Sequence, residues 1–193
     1  MAPKPASAQV ACAPDATGEW TTAGAWSSCN STYPNNGGGN TYDATVSGSN
    51  TVTLTGTDGA ITIATLALAS DGVLSLQNGA SLTATSGNGL TIAASSPYVS
   101  AGLYVDTNYT TGGSTMTVGC TLTNNAQVEI GNTGLSAIAS VTLSTVNEAA
   151  SSCPAIAMAS ASVGCDKSHS AISKSSFIEA DSGTKFFHGT SWS

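Results

Sequence analysis

From Thr65 the chain falls into blocks of eight: TLALASDG, VLSLQNGA, SLTATSGN and GLTIAASS. The second position of each block is Leu66, Leu74, Leu82 or Leu90, and the fourth is Leu68, Leu76, Ala84 or Ile92. Apolar residues two apart put their side chains on one face of an extended strand and leave the alternate residues on the other. The blocks are separated by Ser-Asp-Gly, Asn-Gly-Ala and Ser-Gly-Asn, which are turn-forming combinations. Each block therefore predicts a short strand followed by a turn. The same alternation occurs earlier in TVTLT (Val52, Leu54) and AITIA (Ile61, Ile63), and later in AGLYV, TMTVGCTLT, AQVEI and SAIASVTLST.

Evenly spaced short strands suit two all-β architectures. One is a β-sandwich of antiparallel hairpins; the other is a coil in which each strand stacks in parallel on the strand a full turn away. Two features favour the coil. Leu recurs at matching positions, as stacking of like on like requires, and long alternating strands joined by a two-residue hairpin signal do not occur. The pattern predicts a right-handed parallel β-solenoid (β-helix) over residues 41–145, with the β-sandwich as the alternative. Three octets would make a turn of about 24 residues, and leucines eight apart are expected in a common column. Residues 1–18 read as a flexible N-terminal segment, 19–40 as a cap, and 146–193 as a C-terminal tail or partial extra module.

Charge narrows the range of partners. The 193 residues carry a formal net charge of −7, contain no Arg, and have Lys only at positions 4, 167, 174 and 185. Nucleic-acid backbones are bound by cationic side chains that displace counterions, so nucleic acid is not an expected partner. Anionic membrane surfaces are disfavoured for the same reason. No apolar run approaches the roughly 18 residues of a membrane-spanning helix, so no transmembrane segment is expected.

Five cysteines stand at 12, 29, 120, 153 and 165. Spacing leaves their connectivity open. Cys12 with Cys29 and Cys153 with Cys165 would close short loops near the two ends, leaving Cys120 as a buried thiol. Such pairs fit an oxidising, extracytoplasmic location.

GEWTTAGAWSS followed by YPNNGGGNTYDATV, then TVTL, ITIATLAL and GVLSLQNGASLTAT, resembles the start of β-helical regions in large secreted or surface-anchored bacterial proteins, the autotransporter-passenger-like and hemagglutinin-like adhesins. The resemblance covers about residues 18–95 and is carried most specifically by Trp20, Trp26 and Pro34 to Tyr42. It implies an extracellular or cell-surface structural or adhesive segment, with surface glycans or further copies of the chain as partners. It brings no catalytic residues, cofactor or metal, and this chain is not expected to be an enzyme. The regular pattern fades after about residue 110, and the chain is short for such a protein, as a fragment or minimal version would be.

Candidate chemistry is sparse. In PNNGGGNTYDATV the glycines permit positive φ and a sharp turn onto the next strand. A phosphate loop would need a preceding strand, a following helix and a Lys; a calcium repeat would need several copies in register, and GGNTYD is a single imperfect one. Trp20 and Trp26 suit a cover over the open end of a stacked core, or a platform for a sugar ring. Asp43, Asp58, Asp71, Asp106 and Glu129 supply carboxylates for a glycosidase-type pair, but they lie on separate segments, and Asp58 and Asp71 sit in Asp-Gly turns. Ser168, His169 and Asp166 could be drawn as a hydrolytic set, and Cys153, Cys165, His169 and Asp166 as a metal set; neither has the required spacing. His169 and His188 read as solvated.

Thr-x-Thr recurs at 51/53, 53/55, 83/85, 115/117 and 121/123. An outward threonine array could bind ice or a crystalline polysaccharide. A 24-residue turn would set Thr51 and Thr53 over Ser75 and Gln77 and Thr83 near Thr107, which breaks the ladder. Asn30-Ser31-Thr32 and Asn108-Tyr109-Thr110 fit the glycosylation acceptor pattern.

Overall fold

A computed structural model describes residues 8–27, 29, 32–69, 71–86, 89–93, 102–108, 110–119, 121–132 and 135–142, and the backbone of 143–144 and 162–165. These residues are all-β apart from one short 3-10 turn, Gly56–Asp58. The strands are β1 (Ala8–Pro14), β2 (Gly18–Glu19), β3 (Trp26–Ser27), β4 (Asn40–Val46), β5 (Thr51–Thr55), β6 (Ala60–Ile63), β7 (Thr65–Leu68) and β8 (Val73–Gln77). They continue with β9 (Ser81–Ala84), β10 (Leu90–Ile92), β11 (Gly102–Val105), β12 (Thr115–Gly119), β13 (Leu122–Asn124), β14 (Gln127–Ile130), β15 (Ser140–Ser144) and β16 (Ser162–Cys165).

Three sheets collect every third strand. Sheet I runs β13-β10-β7-β4-β1, with β3 on its outer edge; sheet II runs β16-β14-β11-β8-β5-β2; sheet III runs β15-β12-β9-β6. From β4 to β15 the chain visits I, II and III in strict rotation, and every pairing among these strands is parallel. Among the described strands the only antiparallel pair is β1 with β3. Neighbours in sequence are thus not hairpin partners, which is the arrangement the sandwich alternative needed.

Alternation explains the core. In β5 the side chains of Val52 and Leu54 are buried while Thr51, Thr53 and Thr55 are half-exposed, and β7, β8 and β9 repeat that pattern. The inward side chains of all three sheets join one hydrophobic cluster. Within it, Ala44, Leu66, Leu90 and Leu122 stack in sheet I. Val52, Leu74, Leu103 and Val128 stack in sheet II. Ile61, Leu82, Met116 and Val141 stack in sheet III. Burying each such Leu, Ile or Val is worth about 1.5–3 kcal/mol.

Two expectations require correction. Leu66, Leu74 and Leu82 do not share a column; they lie on three different sheets, and only Leu66 and Leu90 stack directly. The eight-residue repeat marks successive strands on sheets I, II and III, one passage through the three sheets being a circuit, and its recurrence after three blocks gives the Leu66–Leu90 pairing. Circuit length is also not constant. Residue 44 aligns with 66, 66 with 90, 73 with 102, and 81 with 115. The number of residues between strands varies while the strand registers stay fixed. In addition, residues 8–14 are not loose: they form β1 and pair with β4. Of the expected C-terminal tail, 162–165 pairs with β14, and the rest lies outside the described residues.

At the corner between β7 and β8 successive circuits touch through backbone. A Cβ on Gly72 would overlap the Val46 carbonyl oxygen, with no flexible side chain available to yield. The Gly72 carbonyl also accepts from the Gly102 N–H of the next circuit at 3.1 Å. Gly72→Ala should therefore cost about 3 kcal/mol as an overpacking substitution. The check is the urea midpoint of the variant at unchanged m-value; a shift under about 0.5 kcal/mol, the size of an ordinary surface change, would refute this contact.

Candidate functional site

The Gly-rich stretch sits where the first circuit lacks a sheet III strand. Gly37 and Asn40 exchange both backbone hydrogen bonds, at 3.1 and 2.9 Å, across Gly38 and Gly39. Both of those glycines have positive φ, 60° and 87°, the requirement of a tight type I′ hairpin. Just before this turn, the Asn36 N–H donates to the Thr62 carbonyl at 2.6 Å, and Asn35 Oδ1 accepts from the Thr62 N–H at 3.0 Å. Asn36 Oδ1 accepts from the Tyr42 N–H at 2.8 Å. The asparagines thus supply partners to the outer edge of β6, a row of backbone groups that would otherwise invite pairing with another chain. The loop closes an edge, and its polar groups are turned to that task.

Trp20 and Trp26 are 0% and 3% exposed. Their ring centroids are 4.8 Å apart at 57°. The Trp20 indole N–H donates to the Pro34 carbonyl at 3.0 Å, and that of Trp26 to the Trp20 carbonyl at 2.8 Å. With both polar tips satisfied and both rings in the core, neither presents a face on which a sugar could stack. They fill the first circuit in place of a strand. Cys12 and Cys29 form a disulfide across this region, with Cα atoms 5.2 Å apart. Cys153 and Cys120 lie outside the described residues, as does the Cys165 side chain. Replacing Cys12 and Cys29 together by Ser should remove about 2–3 kcal/mol, as expected for a loop of this size. Equal urea midpoints for the reduced and oxidised wild-type protein would contradict this.

The carboxylates serve separate local roles. Asp43, on the outer face of sheet I, accepts from the hydroxyl of Thr65 at 2.6 Å and from the Gln9 amide. Asp106 is fully buried. It accepts from the Asn78 N–H, the Ser114 N–H and the Ser114 hydroxyl, each at 2.8 Å. The Ser114 oxygen in turn accepts from Gly79 and Ala80 N–H, both at 3.1 Å.

Among the described residues, Glu19, which the sequence reading passed over, is in electrostatic contact with a second acid. Partial burial, then the nearby Asp58, raises the Glu19 carboxyl above its usual range. Burial also pushes Asp58 upward, but hydrogen bonds from the Thr21 hydroxyl and from the Thr55 backbone and hydroxyl outweigh it and hold Asp58 low. Of the hydrogen bonds to Asp58, that from Thr21 joins residues 37 apart and could not have been read from local spacing.

No protein family, curated protein or solved structure matches the chain. Among the described residues, no three His, Cys, Asp or Glu side chains are grouped so as to hold a metal ion. Among them, too, no helix is long and apolar enough to cross a membrane. Asp166, Ser168, His169 and His188 lie outside the described residues.

The outward faces of the sheets are the remaining candidates, and they differ. Sheet II presents Glu19, Thr53, Ser75, Tyr104 and Glu129 in one register column. There the Tyr104 hydroxyl donates to Gln127 Oε1 at 3.0 Å, and the Gln127 amide donates to Glu129. Burial, then the Glu129 carboxylate, pushes the Tyr104 phenol up. Sheet III presents Thr62, Thr83, Thr117 and Thr142 in one column and Ala60, Ser81, Thr115 and Ser140 in the next. The 24-residue turn had set Thr83 beside Thr107. The actual spacings of 21, 34 and 25 residues (62 to 83, 83 to 117, 117 to 142) restore the ladder.

Proposed function

We propose that the chain is a right-handed parallel β-solenoid that serves as a structural or adhesive segment of an extracellular or cell-surface protein, as the resemblance to bacterial β-helical adhesins implies. The observation that carries this reading is the rotation of the chain through three parallel sheets around one shared core. Such a stack lengthens by adding circuits, each contacting only its neighbours. The disulfide at the Trp-filled first circuit suits an oxidising location. The reading assigns the segment no catalysis, no cofactor and no metal, with surface glycans or other copies of the chain as partners.

Pulling single molecules of the full chain by the two ends tests the scaffold. A stack of circuits should release in steps of one circuit or a small number of circuits, each about 7–12 nm from 22–34 residues at about 3.5 Å per residue. A single all-or-none release would count against it. A carbohydrate-binding role is the second reading, and the Tyr104–Gln127–Glu129 group on sheet II favours it. A glycan array probed with the wild type and with Tyr104→Ala tests it; no glycan lost on substitution removes it.

A further inference from the structure

We infer that the outer face of sheet III binds crystalline water. This goes beyond the scaffold reading and does not depend on it. Four strands contribute two outward positions each: Ala60 and Thr62, Ser81 and Thr83, Thr115 and Thr117, Ser140 and Thr142. Nothing larger than Thr stands at these eight positions; the exposed Ile138, two residues before Ser140, borders them. Hydroxyls reach one another across strands, as where Thr115 donates to Ser81 at 3.4 Å.

The spacing is imposed by the backbone. Outward residues recur about every 6.6 Å along a strand and about every 4.8 Å across strands. Both are of the order of the oxygen repeats on the faces of hexagonal ice. Threonine is stiff at χ1, so its methyl and hydroxyl hold their places with little entropy left to lose. A two-dimensional grid of five threonines, two serines and one alanine offers regularly spaced methyl and hydroxyl groups to a solid whose surface is itself a grid of hydroxyl donors and acceptors.

Charge selects the occupant. The strands of sheet III contain no Asp, Glu, Lys or Arg, whereas sheet I carries Asp43 and sheet II carries Glu19 and Glu129. An ionic mineral or charged polymer therefore has nothing to pair with here. Aromatic and Arg anchors, which dominate protein interfaces, are missing from these eight positions. A crystalline polysaccharide presents apolar ring faces that are met by aromatic stacking, and no aromatic ring stands on this face. The edge beside Thr62 is occupied by Asn35 and Asn36, so at its β6 end the face does not offer an open strand edge that would recruit a second copy.

The test uses the full oxidised chain in an ice-recrystallisation assay, with partitioning into a slowly grown ice crystal as a second readout. Wild-type protein should suppress grain growth and enter the ice. Thr83→Tyr and Thr117→Tyr place a bulky ring in the grid on the solvent side, and each should require about tenfold more protein for the same suppression. Thr53→Tyr, on sheet II, should match the wild type. Circular dichroism melts confirm folding, and Thr62→Tyr on the outermost strand replaces any variant that does not fold. Thr117→Val, which keeps the shape and drops the hydroxyl, should fall between the wild type and Thr117→Tyr. Failure of the wild type to suppress growth overturns the inference. Equal loss in Thr53→Tyr and Thr117→Tyr overturns it too, as does binding to cellulose powder without binding to ice.

Discussion

Asp106→Ala should lower stability by about 3–5 kcal/mol, a large loss for a residue with no exposed atoms to offer a ligand. The carboxylate accepts three hydrogen bonds that tie the corner at Asn78 to the corner at Ser114, one circuit further on. Its backbone N–H also donates to the Leu76 carbonyl at 2.8 Å, and its carbonyl accepts from Asn132 at 3.1 Å. Three consecutive circuits therefore meet at one residue. Removing the side chain strands the fully buried Ser114 N–H and hydroxyl and also releases the part-buried Asn78 N–H, and buried donors without acceptors cost more than the bond itself returned. Asp106→Asn should also be costly, because an amide NH2 faces a donor where a carboxylate oxygen stood. A urea titration checks both, and hydrogen exchange at the Asn78 and Ser114 amides gives a local readout. Unchanged exchange at those two amides would show that the carboxylate does not hold the corners together.

Trp20→Ala should cost about 3–5 kcal/mol, the range for truncating a buried aromatic residue. The indole fills the first circuit, and its loss removes the ring that packs on Trp26 and the bond to Pro34. The Gly-rich loop that edges β6 begins at that proline, so damage should spread to the start of sheet III. Trp26 fluorescence should shift toward that of an exposed indole well before the far circuits unfold. A variant that melts like the wild type, but no longer binds a glycan, would instead mark Trp20 as a ligand contact.

The sequence carried the strands well because inward and outward residues alternate with few exceptions. Val52, Leu54, Ile61, Ile63, Leu66 and Leu68 are all buried where period two puts them. Parallel pairing with the third strand on was legible too, from Leu recurring at matching positions. What could not be read was the length of the corners. Nothing local says that Leu74 is matched to Leu103 while Leu66 is matched to Leu90. The threonine ladder, broken by an even 24-residue turn, is visible only in the register, and the register follows from corners whose lengths differ. The structural role of Asp106 was not legible either. In sequence it is an acid beside Thr107 and Asn108; its role depends on Ser114 and Asn78, brought to it by stacking. Glu19 escaped notice because the group that perturbs it, Asp58, is 39 positions away.

The uneven corners have a wider consequence. Closing a longer loop adds little entropy cost, about 0.6 kcal/mol for each doubling. The alignment of 81 with 115, against 60 with 81 one circuit earlier, means that this fold already accommodates 13 more residues (34 against 21), spread over three connections, without losing its stacking. Peptide cassettes grafted at such bends would be displayed at heights fixed by the strand spacing, so the molecule offers a ruler on which foreign sequences can be mounted at graded distances from its base.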